Sequence, residues 1–328
     1  MAGRMLGFAK NVRAAALLPF STRAGLKMDG GAASGLLFSA AGVIGGANLI
    51  GFGITASTKT HKLTDLTGAG AFVLSATACA WKSGSFQSGA VRPLLLNVAV
   101  GVWGVRLASY LFARIIKTGE DQRLARYFPA KDEGWLDSAR SFFPVNLAAF
   151  WTIQASWSCE QLLLLSLSLA MWAWVVSLPV TLANFSPARA VPMGVGGWAC
   201  FGIAAAGLAV ETVADYQAWG KFQFKNDPDN KGKFMGSGLW GLSRHPNYLG
   251  EMGVWWALLG VALPALRGPG KIALGLASPV FITYLIMQVS GVPILEQQHD
   301  EKYGDDPRYQ EWKKNTPMII PNLSKIFF

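Results

Sequence analysis

GLWGLSRHPNYLGEMGVWWALLGVALPAL, residues 238–266, opens on a polar knot and then runs apolar to its end. A helix can begin at Pro246 without loss, because a proline in the first turn gives up an N–H that has no partner there. From 248 to 266 the one charged residue is Glu251. Such a run is close to the roughly 20 residues that cross about 30 Å of hydrocarbon. Working outward, similar spans read at 34–56, 65–81, 93–113, 160–182, 195–219 and 272–292. That makes about seven transmembrane helices, plus an apolar, partly amphipathic stretch at 143–158. Pro179 and Pro279 are expected to kink their helices. The expected fold class is all-α, a polytopic membrane protein. No repeat or low-complexity linker divides it, so residues 29–328 read as a single transmembrane domain.

Composition points the same way. The 328 residues are 52% hydrophobic and only 15% charged, with a mean hydropathy of +0.31. Soluble domains carry roughly 25% charged residues. The same figures exclude collagen, coiled coil, disordered tail and disulfide-stapled secreted domain. Gly 37 and Trp 13 suit a bilayer, where glycine is tolerated in spans and tryptophan gathers at the interfaces. A net charge of +10 would suggest nucleic acid in a soluble protein. Here the cations lie in loops, where they set topology and meet anionic lipid or cofactor phosphate, so no nucleic-acid partner is expected. Cys79, Cys159 and Cys200 sit in apolar stretches without a CxxC, and His61, His245 and His299 form no HxxxH. A zinc site, a structural disulfide and a histidine-rich di-iron centre are therefore not expected, and no metal ligands are assigned.

With seven spans, the loops 57–64, 114–142 and 220–247 share a side with the C-terminal tail, and that side carries 18 Lys/Arg. The opposite loops carry five: Lys82, Arg92, Arg189, Arg267 and Lys271. Positive residues in short loops mark the inner face. Residues 1–28 hold Arg4, Lys10, Arg13, Arg23 and Lys27 and no acid. That is the composition of a transit peptide or of an ordinary basic membrane flank. The membrane is accordingly the endoplasmic reticulum or an organellar one, mitochondrial or plastid.

Arg106, Glu160, Glu211, Asp215 and Glu251 fall inside or at the edge of the spans. A central charge costs about 2.5–3.5 kcal/mol on insertion scales, so such residues pair, face a cavity or bind something. Glu211 and Asp215, four apart, share a helix face. On a helix from Pro246, Asn247, Tyr248 and Glu251 present an amide, a phenol and a carboxylate on one side. Arg244 and His245 precede them in a loop that also holds Lys221, Lys225, Lys231 and Lys233. A polyanionic cofactor would meet cations first and hydrogen-bonding groups deeper, with helix N–H groups adding to phosphate binding. The bland alternative is a polar interfacial cap.

SRHPNYLGE (243–251) and ADYQAWGKFQF (214–224) resemble the steroid 5-alpha-reductase-like membrane superfamily, in particular its domain-of-unknown-function 1295 branch. VWGVRLASYLFARIIKTGEDQR (102–123) and GVPILEQQHDEKYGDDPRYQEWKKNTPMIIP (291–321) agree, so the resemblance covers about 95–321. It implies a cofactor pocket for NADPH in the C-terminal half. Asp215 would lie near the adenosine or ribose end. Arg244, His245, Asn247, Tyr248 and Glu251 would line the pocket, and Glu296, His299 and Tyr303 would close it from the tail. Arg106 and Arg114, with Glu120, Asp121 and Arg123, form an earlier polar segment, and Lys221 and Lys225 are assigned to phosphate.

The implied reaction is hydride transfer to a polarised C=C of a lipid, sterol-like or isoprenoid enone, followed by protonation. Steroid 5-alpha-reductases take the proton from a Glu–Tyr pair on the N-terminal helices. Residues 1–109 here contain no Tyr and no Glu, their acids being Asp29 and Asp65. The donor must then come from Tyr110, Tyr248, Tyr284 or Glu251, which makes Tyr248, Glu251 and Tyr110 the catalytic candidates.

Two readings compete with the reductase. RHPNY also fits the RHPxY element of S-adenosylmethionine-dependent phospholipid and isoprenylcysteine methyltransferases, which usually carry paired tail acids where this chain has Glu296 followed by Gln297. The other is a non-catalytic subunit of an organellar membrane complex, with protein partners there. GVGGWA (194–199) and GFGITA (51–56) satisfy GxGxxA but follow no strand, so they are read as close helix packing through small residues. Trp151, Trp157, Trp172, Trp174, Trp255 and Trp256 read as a lipid slot or as belt and core.

Overall fold

The computed structural model describes residues 30–58, 62–118, 168–226 and 233–321. All regular structure among them is helical. The helices are α1 (Gly30–Thr58), α2 (Thr64–Lys82), α3 (Val91–Thr118), α4 (Ser168–Val176), α5 (Leu178–Asn184), α6 (Val195–Asn226), α7 (Leu239–Leu242), α8 (Pro246–Ala262), α9 (Pro269–Tyr284), α10 (Val292–Tyr303) and α11 (Pro307–Asn315). A π-helical turn, Leu285–Val289, continues α9. Three runs are long and apolar enough to cross a membrane: Val91–Ile116, Val195–Gln217 and Pro269–Tyr303. The chain is an integral membrane protein, and the helix succession is consistent with about seven passages.

Three expectations are corrected. The helix expected to stop at 219 continues to Asn226, so Lys221 and Lys225 lie on a helix and not in a loop. AWGKFQFKN contains one glycine and no proline, and the first proline, Pro228, disfavours helix at the residue before it. The span read at 160–182 is two helices where described, because the chain breaks at Ser177 and Pro179 restarts it in the first turn of α5. Pro279, expected to kink its helix, lies in the interior of α9, the position from which a proline bends a helix. Arg92 is not a loop cation. It is 1% exposed in the first turn of α3, donating to the carbonyls of Val191, Pro192 and Val261. These acceptors include a carbonyl at the C-terminal end of α8, where a cation also meets the negative helix end. The N-terminal segment 1–28, the stretch 143–158, and Cys159, Glu160, Trp151 and Trp157 lie outside the described residues.

The core sits where α2, α3, α4 and α8 meet. Phe72, Trp103, Trp172 and Trp255 pack edge to face: Phe72–Trp103 at 5.0 Å, Phe72–Trp172 at 4.8 Å and Trp103–Trp255 at 5.0 Å between centroids. This is the arrangement that ring quadrupoles favour. Trp255 is therefore core, while Trp256 faces outward and donates to Thr283 Oγ1 at 3.1 Å.

The tightest crossing is between α6 and α8. A Cβ on Gly250 would stand 2.5 Å from the Gly207 carbonyl oxygen and 2.8 Å from Glu211 N. Only glycine at both positions lets the backbones meet, the usual device of helix packing in lipid. The glycines of GVGGWA and Gly53 of GFGITA make no comparable approach. A Cβ on Gly196 or Gly53 would meet nothing within 4 Å, and one on Gly197 only Met193 and the Arg92 side chain.

Candidate functional site

The Gly207–Gly250 contact brings together Glu211, one turn beyond it on α6, and Glu251, one residue beyond it on α8. Arg106, on α3, reaches across to the same place. Its Nη1 donates to Glu211 Oε1 at 2.5 Å, and its Nη2 donates to Asp215 and to the Glu211 carbonyl. Arg106, Glu211 and Asp215 are thus an ion cluster between two spanning helices. Tyr110, one turn along α3, has its ring 5.8 Å from the Arg106 guanidinium carbon. Arg114, a further turn on, pairs with Asp65 at 3.6 Å where α2 begins.

Glu251 is on the far side of this cluster. Its Oε1 accepts from Trp255 Nε1 at 3.0 Å, an i,i+4 contact on α8. Together with Tyr248 and Ser290 it forms the polar part of a cavity of about 350 Å³. The remaining wall is apolar, drawn from Leu107 on α3, Trp172 on α4, Ile282 on α9 and Ile286 in the π turn. Pockets that take small ligands have this size and this sparse polarity. The π turn widens α9 at the same place, a distortion frequent at functional sites.

A second cluster forms at the entrance to α8. Arg244 Nη1 donates to Glu296 Oε2, and His245 Nε2 meets Glu296 Oε1 at 2.8 Å. Lys313 approaches Glu296 at 3.3 Å and pairs with Asp300. His245 is fully buried and stacks on Tyr248, the centroids 5.6 Å apart. The tail straps this loop in place: Arg244 N donates to the Pro317 carbonyl at 2.9 Å and His245 N to that of Met318 at 3.2 Å. His299 and Tyr303, on α10, lie with rings 5.9 Å apart, and buried Tyr303 packs on Phe234 and Tyr309. Burial and the hydrogen bond to Asp300 push the Tyr309 phenol above its usual range, so it stays a donor at physiological pH.

Three buried polar atoms here have no partner among the described residues: Arg244 Nε, His245 Nδ1 and Asn247 Oδ1. Buried polar groups are ordinarily satisfied, so each invites a ligand or water.

The structure brings Tyr248 and Glu251 together on one cavity, joins Arg244 and His245 to Glu296, and joins Arg106 to Asp215. It keeps Arg114 with Asp65, outside both clusters. Lys221 is on α6, but its side chain, like Glu120, Asp121 and Arg123, is outside the described residues. Sequence reasoning singles out Glu211 as a costly charge but not as the partner of Arg106, which is 105 residues away. It misses Lys313 altogether, since a lysine in a basic tail carries no signal of its own. The glycine before Glu251 is a usable signal for the close crossing.

Among comparisons with known proteins, the model of the family described as "Protein of unknown function (DUF1295)" matches residues 51–316. No curated protein and no solved structure matches the chain.

Proposed function

The chain belongs to the DUF1295 family, and from that premise we propose that it is a membrane oxidoreductase using NADPH to reduce a C=C bond of a hydrophobic lipid, sterol or isoprenoid enone. The observation that carries this reading is the apolar cavity whose polar wall includes Tyr248 and Glu251. An enone needs an apolar enclosure with one acid near its carbonyl or developing carbanion, and this cavity offers a phenol and a carboxyl one helical turn apart.

The fit to the cofactor rests on the entrance to α8. Arg244 Nε and His245 Nδ1 are nitrogens free to engage an anionic or amide-bearing group, and Asn247 Oδ1 is an acceptor beside them. Arg244, His245 and Asn247 would hold the nucleotide, helped by the first N–H groups of α8. Bound NADPH would supply the hydride. Tyr248 and Glu251 orient the substrate carbonyl and provide the proton, and the aromatic core of Trp103, Trp172 and Trp255 keeps water out. The acid-free basic segment 1–28 supports an organellar membrane as the location.

The test is ligand retention. The full-length protein is purified gently and denatured, and the released small molecules are identified by mass spectrometry. NADPH or NADP⁺ at near-stoichiometric yield is the expected result. S-adenosylmethionine or its homocysteine product would replace the reductase with a methyltransferase. An empty protein that also resists loading with either would make it a subunit that keeps the fold without the chemistry.

A further inference from the structure

Glu211 is 3% exposed. Its Oε1 is taken by Arg106, but its Oε2 is buried and has no donor among the described residues. The Glu211 Cβ lies against Gly250, where an added Cβ would stand only 2.9 Å from it, so the Glu211 carboxyl and that of Glu251, the next residue on α8, are interacting neighbours across the crossing. Two ionised carboxylates offer only acceptors to each other, so such a contact is repulsive. With a proton on one of them it becomes a short, strong O–H···O⁻ hydrogen bond. The groups that face the pair are Arg106 and Tyr110 from α3, Asp215 from α6 and Tyr248 from α8, with Arg114 further along α3. Three carboxyls therefore meet one nearby guanidinium between spanning helices, where an unbalanced charge is expensive.

We infer that Glu211 and Glu251 share one proton across the α6–α8 contact, and that Glu251 delivers it into the cavity while Arg106 offsets part of the charge that remains until the pair is reprotonated. The recipient rests on the reductase reading; the shared proton does not. In the transfer, a hydride brings two electrons to the β carbon and the C=C π pair moves toward the carbonyl. The Glu251 O–H bond breaks, its proton joins the α carbon, and its electron pair stays on the carboxylate. The dihydronicotinamide is oxidised, the enone is reduced, and the pair regains its proton from water. This arrangement answers the lack of any Glu or Tyr in residues 1–109, because the acid comes from α6 and α8 instead. Glu251 touches the cavity and is the catalytic residue. Glu211, which does not line it, is a positioning residue that holds the proton in readiness.

The experiment is infrared spectroscopy of the full-length protein in lipid nanodiscs, with carboxyl-labelled glutamate. The expected result at pH 7 is a carbonyl stretch of a protonated carboxylic acid, sensitive to deuterium exchange. Glu211→Gln and Glu251→Gln should each abolish it, because the new amide donates to the remaining carboxylate. A wild-type protein without the band overturns the inference, and needs no variant to do so. A band that survives either substitution overturns it too, since the proton then belongs to one group alone. A band that behaves as expected in a protein that neither retains nor binds NADPH upholds the shared proton and overturns its recipient. NADPH binding without the band does the reverse, leaving the reductase reading intact.

Discussion

The two charged clusters use the same chemistry in opposite proportion. Between α3 and α6, Arg106 serves Glu211 and Asp215, and the atom left over is a buried carboxylate oxygen. At the entrance to α8, Glu296 serves Arg244, His245 and Lys313, and the atoms left over include Arg244 Nε and His245 Nδ1. A surplus of acid inside a membrane calls for a proton, while unpartnered nitrogens at its edge, one of them on a guanidinium, call for a ligand with hydrogen-bonding or anionic groups. The difference comes from position. The first cluster is enclosed by spanning helices and the second is closed by the tail, so only the second can open toward the loops without parting the bundle.

The largest test of that contrast is Arg106→Leu. It leaves Glu211 and Asp215 without their cation, and breaking a buried pair this way costs about 3–5 kcal/mol. Unfolding in detergent should show the loss, and replacing all three residues with apolar ones should recover most of it. If Arg106→Leu unfolds like wild type, the first cluster is not enclosed and the contrast fails.

Next is Gly250→Val. Its Cβ would stand 2.5 Å from one backbone oxygen and 2.8 Å from a backbone nitrogen, which cannot move as a side-chain tip would. Overpacking of this kind costs about 1–3 kcal/mol. Gly253→Ala, where an added Cβ meets nothing within 4 Å, should be neutral in the same assay. Equal stability of the two variants would mean that the α6–α8 contact does not position Glu211 against Glu251.

Arg244→Ala and Asn247→Ala sharpen the other side. Each should weaken NADPH binding by about tenfold, the equivalent of about 1.4 kcal/mol, in a fluorescence titration on protein that remains folded. Unchanged affinity in both would remove the nucleotide from this end of α8. Asp65→Asn should do least. The Asp65–Arg114 pair is about one-third exposed on both sides, and such pairs are worth less than about 1 kcal/mol, so its melting temperature should match wild type.

What is legible in the chain is local. The helix at 246–262 comes from an apolar run preceded by a proline, and its first residue is the predicted one. Tyr248 and Glu251 share a cavity because they are three apart on one helix, which spacing alone specifies. The extension of α6 to Asn226 escapes a reading by hydropathy, which marks where the bilayer ends, whereas backbone hydrogen bonding sets where a helix ends. Arg92 escapes it for the complementary reason: a cation beside a turn looks solvated until the carbonyls of Val191, Pro192 and Val261 converge on it.

The sequence by itself determined that this is an all-helical membrane protein, which residues of α8 are polar, and that its spans carry charges needing partners. Length and apolarity are properties of single segments, and lipid enforces them one helix at a time. Only the tertiary structure decided which charges meet: Arg106 with Glu211 and Asp215, Arg244 and His245 with Glu296, Glu211 with Glu251. Those pairings depend on how helices far apart in the chain are rotated and spaced. Here that is set by two glycines that let α6 and α8 touch, and by a tail that folds back over the loop before α8.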